Sequence, residues 1–361
     1  EYIAPAFAEL SSFSVIFAIL VGTLVGVFVG AVPGLGTTLG VTLVLPFSFG
    51  MEPIPAITLL LSVYCASTYG GAISAILINT PGTAASAATS MDGFPMVKKG
   101  LASEAIGWVT VASVFGGLLS AVILMLIAPQ IAKIALKFGP VQMAALMLLA
   151  MTLMISVSRG SQVKGLIAGM TGILLATVGF DPVTGDTRLT FGSFQLSAGI
   201  SLLPFVIGLF AQAEVFDRAA NRDVAIDIGK LKVGMKIAPF SQWRSRIGIL
   251  IRSSFIGTFV GSLPGTGAAI ASFVAYADAK RSSPRRDDFG TGEPDGIIAS
   301  ESANNAVTGG ALIPTLTLGI PGDVVMAVML SSFIIHGITP GVALFRDDPV
   351  IVYTLFEALI V

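Results

Sequence analysis

Charge, cysteine and histidine are all scarce in this chain. Lys, Arg, Asp and Glu together make up 11% of its 361 residues, against about 25% in ordinary soluble domains. That is too little polar material to coat a soluble core of this size. The lone cysteine, Cys65, has no intrachain partner for a disulfide and is expected to fill space. The lone histidine, His336, has no second His or Cys ligand nearby; a packed or helix-terminal role is expected rather than a metal site. No basic patch is interleaved with aromatics, which excludes a nucleic-acid surface. No basic segment precedes the first apolar run, which argues against a cleavable signal. The apolar segments carry no paired titratable groups for acid–base work, so a membrane-embedded enzyme is disfavoured and no cofactor is expected.

Long apolar runs dominate instead. Segments 104–128, 140–157, 162–180 and 197–213 each approach or exceed the roughly 20 residues that a helix needs to cross a bilayer, and mean hydropathy is +0.89. The runs do not alternate polar with apolar, as barrel strands would. The fold class expected is therefore an all-α polytopic membrane protein. Glycine is abundant at 41 residues, and Gly22, Gly26 and Gly30 fall on one helical face, as Gly257 and Gly261 do later. That spacing suits close helix packing.

Basic residues set the topology. None precedes Lys98; beyond it they gather at Lys98–Lys99, Arg159–Lys164, Arg218–Arg246 and Lys280–Arg286. Positive loops favour the cytoplasm, and single crossings by the four apolar runs place these groups on one side. The connection 181–192 then lies outside, as do Lys133 and Lys137, which fit less well. Segment 247–279 is flanked by basic groups and carries "LPGTG" near its centre, so a re-entrant helical hairpin entering from the cytoplasm is expected there. Its counterpart, 13–48, then enters from the other face, with a periplasmic N-terminus.

These segments belong to an internal repeat. A shift of 231 carries Gly26, Gly30, Pro33, Gly34 and Gly36 onto Gly257, Gly261, Pro264, Gly265 and Gly267. A shift of 239 carries Gly70 and Gly71 onto Gly309 and Gly310, and one of 240 carries Pro81 and Gly82 onto Pro321 and Gly322. The first repeat is expected at 13–100 (hairpin 13–48, broken helix 55–93) and the second at 247–345 (hairpin 247–279, broken helix 297–335). Between them lie central transmembrane helices at 101–216 and a cytoplasmic linker with an interfacial helix at 217–246. Residues 346–361 begin a further, incomplete helix, and Glu1 is not an initiator Met, so both ends are expected to lie inside a longer sequence. Five crossings separate the two hairpins, an odd number, so the repeats are expected to be inverted.

Paired helix interruptions in inverted halves point to the midplane site of a secondary transporter. Lipid cannot satisfy non-helical backbone, so the breaks must face protein or water. A helix that starts after Pro-Gly offers unpaired N–H groups and the positive end of its dipole, which suit a carboxylate. The substrate-binding candidates are Pro33, Gly34, Gly36, Thr37, Thr38, Thr80, Pro81, Gly82, Thr83, Pro264, Gly265, Thr266, Gly267, Pro321 and Gly322, with Ser86 as a further hydroxyl donor. Asn79, Asn304, Asn305 and Asp323 are the cation-binding candidates, for Na⁺ or H⁺ as coupling ion. Asp323, an acid within the membrane, also makes a good helix N-cap. A passive anion channel is the alternative; a carrier differs from it in saturable, cation-dependent uptake.

The stretches "GAVPGLGTTLG", "YGGAISAILINTPGTAASAATSMDGFPM", "GSLPGTGAAIASFVAYADAKR" and "ESANNAVTGGALIPTLTLGIPGDVVMAVML" resemble the TctA family, the large membrane subunit of tripartite tricarboxylate transporters. The resemblance runs from about residue 15 to the end. It implies a secondary carrier in the bacterial inner membrane that takes a tricarboxylate, dicarboxylate or related organic acid from a periplasmic binding protein (TctC-like) and uses a cation gradient. It also implies a small four-helix membrane subunit (TctB-like) and leaves room for a homodimer. Several members carry Glu where this chain has Thr83, and many have Ser where it has Asp323, so the substrate is left open.

Other signals have plainer readings. "LPGTG" followed by "KRSSPRR" imitates a cell-wall sorting signal, but a long apolar-rich stretch follows it and the first repeat has its own "VPGLG". Asp92 is expected to cap or turn the broken helix as it leaves the membrane. Glu301, three residues before Asn304, is a second cation candidate if its face is buried and a solvated charge if it lies at the interface; the interface is favoured. Trp243 and Phe240 mark the interfacial helix. Tyr64 and Tyr69 are expected to pack.

Overall fold

The computed structural model describes residues 2–156, 161–181, 186–201, 204–205, 207–213, 216 and 234–361. Among these the chain is mostly helical, with a single two-stranded antiparallel ribbon pairing Gly179–Phe180 with Thr187–Arg188. It divides into two compact units: 1–137 with 223–361, and 138–222. Residues 101–137 of the expected central block fall in the first unit and 138–216 in the second.

The first unit begins with α1 (Ile3–Leu10), α2 (Phe13–Ala31) and α3 (Gly36–Val44), followed by α4 (Pro53–Ile78), α5 (Ser86–Lys98) and α6 (Ala102–Ala135). The second unit holds α7 (Pro140–Ser156), α8 (Gln162–Ala176) and the ribbon. The first unit resumes with α9 (Phe240–Arg244), α10 (Ile247–Gly261), α11 (Gly267–Ser282), α12 (Pro294–Leu318), α13 (Val324–Ile335), α14 (Leu344–Asp347) and α15 (Pro349–Ala358). Three helices, α2, α4 and α6, are long and apolar enough to cross a membrane among the described residues. Residues 217–233 of the expected linker lie outside the described ones.

The ends of these helices are written in the sequence. Proline opens both α4 and α12, Pro53 and Pro294, where its missing N–H has no intrahelical acceptor to lose. Both helices end on a left-handed residue, Asn79 at φ 54° and Gly319 at φ 69°. The two hairpin turns share a left-handed pair: Gly34 and Gly36 at φ 83° and 66°, Gly265 and Gly267 at 85° and 69°. A side chain at those angles is strained, which is why glycine occupies both turns.

Packing repeats at offsets of 231 and 240, so Gly70 matches Gly310 and Gly71 matches Ala311, which corrects the shift of 239 expected for that pair. A Cβ added at Gly26 would lie 2.7 Å from the Val63 carbonyl oxygen, and one at Gly257 2.2 Å from that of Ala303. Gly30 meets Ser67 O as Gly261 meets Val307 O, and Gly70 meets Val27 O as Gly310 meets Thr258 O. Small residues let α2 lie on α4, and α10 on α12, at near backbone contact. The pattern of buried, half-buried and exposed positions over 81–90 recurs unchanged over 321–330.

The core centres on α12. Every residue from Asp295 to Thr317 is buried, with α6, α10, α11 and α5 packed around the helix. The post-break helices cross over between halves: α5 packs on α11, and α13 on α3. Trp243 of α9 is buried with its ring 4.4 Å from that of Trp108, and the Arg246 guanidinium stands 5.2 Å above Trp108. Phe240 of the same helix projects outward, at 75% exposure.

Candidate functional site

In each half the helix break lies against the α2–α3 or α10–α11 segment. In the second half Gly265 N–H donates to Gly322 O at 2.9 Å. In the first, a Cβ on Gly82 would fall 1.9 Å from Gly30 O, and Gly82 N–H donates to Gly71 O at 3.2 Å. Gly82 and Gly322 are buried because backbone passes directly over them. Pro33 and Pro81 are half-buried, Gly34 is exposed and Pro264 is buried.

The four helix starts are not equivalent. A side chain takes up a first-turn amide of α13 in full, and one at the start of α5 by a long contact. Ser86 N–H donates to Thr83 Oγ1 at 3.4 Å, and Met326 N–H donates to Asp323 Oδ1 at 2.8 Å. Asp323 is the N-cap of α13, whereas α5 starts after Ala85 with no side-chain cap and Thr83, at the equivalent position, bonds only to Ser86. Thr83 Oγ1 also lies 2.7 Å from Ser86 Oγ. The starts of α3 and α11 have no side-chain cap, and Gly36, Thr37, Thr38 and Gly267 are half-buried there. Thr266 turns its hydroxyl back to Val260 O and Leu263 O, at 2.5 and 2.9 Å, so it closes α10 instead of facing a ligand. Thr80 likewise donates to Ile78 O at 3.3 Å. Pro321 is half-buried.

The cation candidates fall into three places. Asn79 is the exposed C-cap of α4. Asp323 is bonded by the Tyr64 hydroxyl at 2.5 Å. Asn304 and Asn305 sit beside Glu301 in the middle of α12. Asn304 Nδ2 donates to Thr68 O at 3.4 Å, while its Oδ1 is buried without a partner. Thr68 and Tyr64 are one turn apart on α4, and Thr68 Oγ1 donates to Tyr64 O at 2.9 Å, so α4 touches both the Asp323 and the Asn304 places.

Glu301 is not at an interface. It is fully buried, one oxygen accepting from the Thr89 hydroxyl and the other from Ser113 Oγ at 3.2 Å and Asn305 Nδ2 at 3.3 Å. Two of these partners, Thr89 and Ser113, come from segments distant in sequence, so nothing local to Glu301 marks its burial. Asp92 also differs from expectation. It lies inside α5, fully buried, and caps the other half: Oδ1 accepts from the backbone N–H groups of Gly290, Gly292 and Glu293 at 2.8 Å each, and Oδ2 from Tyr276 Oη at 2.8 Å. His336 closes α13, its Nδ1 2.8 Å from Ser332 O and its Nε2 3.0 Å from Ser48 O.

At the start of α12, Arg246 and Arg285 clasp Asp295 at 2.7 and 2.9 Å. Burial, and then the neighbouring Asp295 carboxylate, push Glu293 above its ordinary range, against the pull of both arginines. A cavity of about 320 Å³ lies in the same unit, its lining including Thr23, Ser62, Tyr69, Thr110, Ser113 and Asn305. Tyr69 is tied to its wall, its hydroxyl 3.0 Å from Thr110 Oγ1. Among the described residues no group of three or more His, Cys, Asp and Glu side chains is placed to hold a metal.

Comparison with known proteins fits this architecture. The chain is 37% identical over 317 residues to an uncharacterized 52.8 kDa protein in the TAR-I ttuC' 3' region of Agrobacterium vitis, covering 88% of this chain and 63% of that protein. It is 40% identical over 103 residues to a protein in the TAR-II ttuC' 3' region of the same organism, covering 28% of this chain and 43% of that protein. The chain thus spans less than two thirds of the length of these relatives. No solved structure matches it. The pattern of the tripartite tricarboxylate transporter TctA family matches residues 16–361, and the chain belongs to that family.

Proposed function

We propose that the chain is the carrier subunit of a secondary transporter. It imports a small carboxylate handed over by a periplasmic binding protein, works beside a small four-helix membrane subunit, and is driven by a Na⁺ or H⁺ gradient across the bacterial inner membrane. The two halves are inverted repeats whose hairpins re-enter from opposite faces. The carboxylate is held by peptide N–H groups at the starts of α3 and α11, Gly36–Thr38 and the residues from Gly267 onward, with Gly34 and Gly265 shaping the approach. No chemistry is performed on the substrate.

One observation carries this reading: two uncapped, half-buried helix starts occur at equivalent positions, each preceded by the same left-handed glycine pair. Neutral helix ends attract anions without requiring a buried cation. Reconstitution of the full chain with its small subunit and binding protein tests it. Saturable uptake of a labelled tri- or dicarboxylate, dependent on a cation gradient and on the binding protein, is expected. Non-saturating flux that needs neither would make the protein a channel.

A further inference from the structure

The mid-helix carboxylate of Glu301 has no place in the substrate site just described, and its surroundings are unusual. The side chain is fully buried, and among the described residues no Lys, Arg or His forms an ion pair with it. A charge in such a place is costly unless it is paired or neutralised. The hydrogen-bond partners are all neutral: Thr89 on α5, Ser113 on α6 and Asn305 on α12 itself.

Those partners can serve both states of the carboxyl group. A hydroxyl is donor and acceptor at once, and its proton rotates to suit. With Glu301 ionised, Thr89 and Ser113 donate to it, and Ser113 Oγ accepts from Asn305 Nδ2 at 2.9 Å. With Glu301 protonated, its O–H donates to Thr89 Oγ1. Thr89 then turns to Ser300 Oγ, 3.0 Å away, and Ser300 donates to Gly296 O at 2.9 Å. No bond is orphaned in either state. Ser113 and Asn305, the two donors to Oε2, also line the 320 Å³ cavity.

We propose that Glu301 is a protonation site of the transport cycle, loaded from this cavity through Ser113, and that its charge state sets how firmly α5 is held. The proposal rests on the carrier reading for its role in transport. A proton binds one carboxylate oxygen and neutralises it, turning the charge-assisted bond from Thr89 into a weaker neutral one. Thr89 lies on the helix that starts just past Thr83, so the first-half break feels the change. The other titratable groups on elements packed against α12 are engaged elsewhere or stand apart from Glu301. Asp92 bonds Tyr276, Asp323 bonds Tyr64, Arg252 pairs with Asp278, and Glu104 with Lys236. Arg246 and Arg285 hold Glu293 and Asp295 at the helix start. Tyr69 and Cys65 are on the cavity wall.

Infrared difference spectroscopy on the purified full chain, stepped in pH at fixed Na⁺ and then in Na⁺ at fixed pH, tests this directly. The expected result is a buried carboxylic acid C=O band that appears as pH falls, is lost in Glu301→Gln, shifts in Thr89→Val and is unmoved by Na⁺. If Glu301→Gln does not fold, the Thr89→Val shift alone still assigns the band. A carboxyl region insensitive to both substitutions, or a band displaced by Na⁺, overturns the proposal. In vesicles, uptake in Glu301→Gln should lose its dependence on a pH gradient, and uptake that keeps this dependence overturns the coupling role. The band with no carrier-type uptake in the wild type would instead leave the proton site standing and remove the carrier reading.

Discussion

The Tyr64 hydroxyl donates to Asp323 Oδ2 at 2.5 Å, joining the helix before the first break to the residue that begins the last helix of the second half. Asp323 uses its other oxygen to cap α13, so one carboxylate serves both halves. Tyr64→Phe should remove only the link and cost about 1 kcal/mol, the scale for hydrogen bonds between membrane helices. Asp323→Asn should keep the cap, since Asn caps well, while Asp323→Ala loses both roles. Thermal unfolding in detergent should rank Asp323→Ala lowest of the three.

The glycine contacts predict paired effects. Gly30→Ala and Gly257→Ala would place a methyl 2.3 and 2.2 Å from the carbonyl oxygens of Ser67 and Ala303. Each should cost about 1–3 kcal/mol by overpacking. Gly36 and Gly267 have open space around them, so Ala there pays only for its left-handed backbone, about 1–2 kcal/mol. Denaturant or thermal titrations of the four variants would separate the two mechanisms, because adding volume beyond Ala should worsen the first pair and leave the second unchanged.

Asp92 holds the loop before α12 by three backbone bonds. Asp92→Ala should free residues 290–293 and cost about 2–3 kcal/mol, the range for hydrogen bonds to a charged group. Limited proteolysis should then cut between α11 and α12 faster than in the wild type. Tyr276→Phe, which leaves the three backbone bonds in place, should change the cleavage rate much less.

Glu293 makes stability depend on pH in a definite direction. Its folded carboxyl holds a proton more tightly than an unfolded one, so the folded state binds more protons in the window just above the ordinary carboxylate range. Stability therefore falls as pH rises through that window, and the loss is complete above the folded value. Glu293→Gln should flatten this slope, read as the midpoint of thermal unfolding against pH.

Much of this was legible in the sequence because glycine and proline state backbone requirements directly. The offsets of 231 and 240 reappear as equivalent close contacts, and Asp323 caps a helix as its position after Pro-Gly suggested. Side-chain fates deep in the core were harder to read. Glu301 looked like an interfacial charge and Asp92 like a local cap or turn, because their partners come from segments distant in sequence: Thr89 and Ser113 for one, Tyr276 and the 290–293 loop for the other. No local pattern announces such a pairing. Trp243 followed the same rule, since Trp108 is what buries it.

The most direct measurement concerns the two uncapped helix starts. In a Cys65→Ser background, single cysteines at Thr38 and Ala268 would be labelled with a membrane-impermeant thiol reagent from each side of sealed vesicles, with and without a tricarboxylate. The account predicts that both positions react, that the substrate slows both, and that the side from which each is reached changes with the imposed cation gradient. Labelling of both from one fixed side, indifferent to carboxylate, would contradict it.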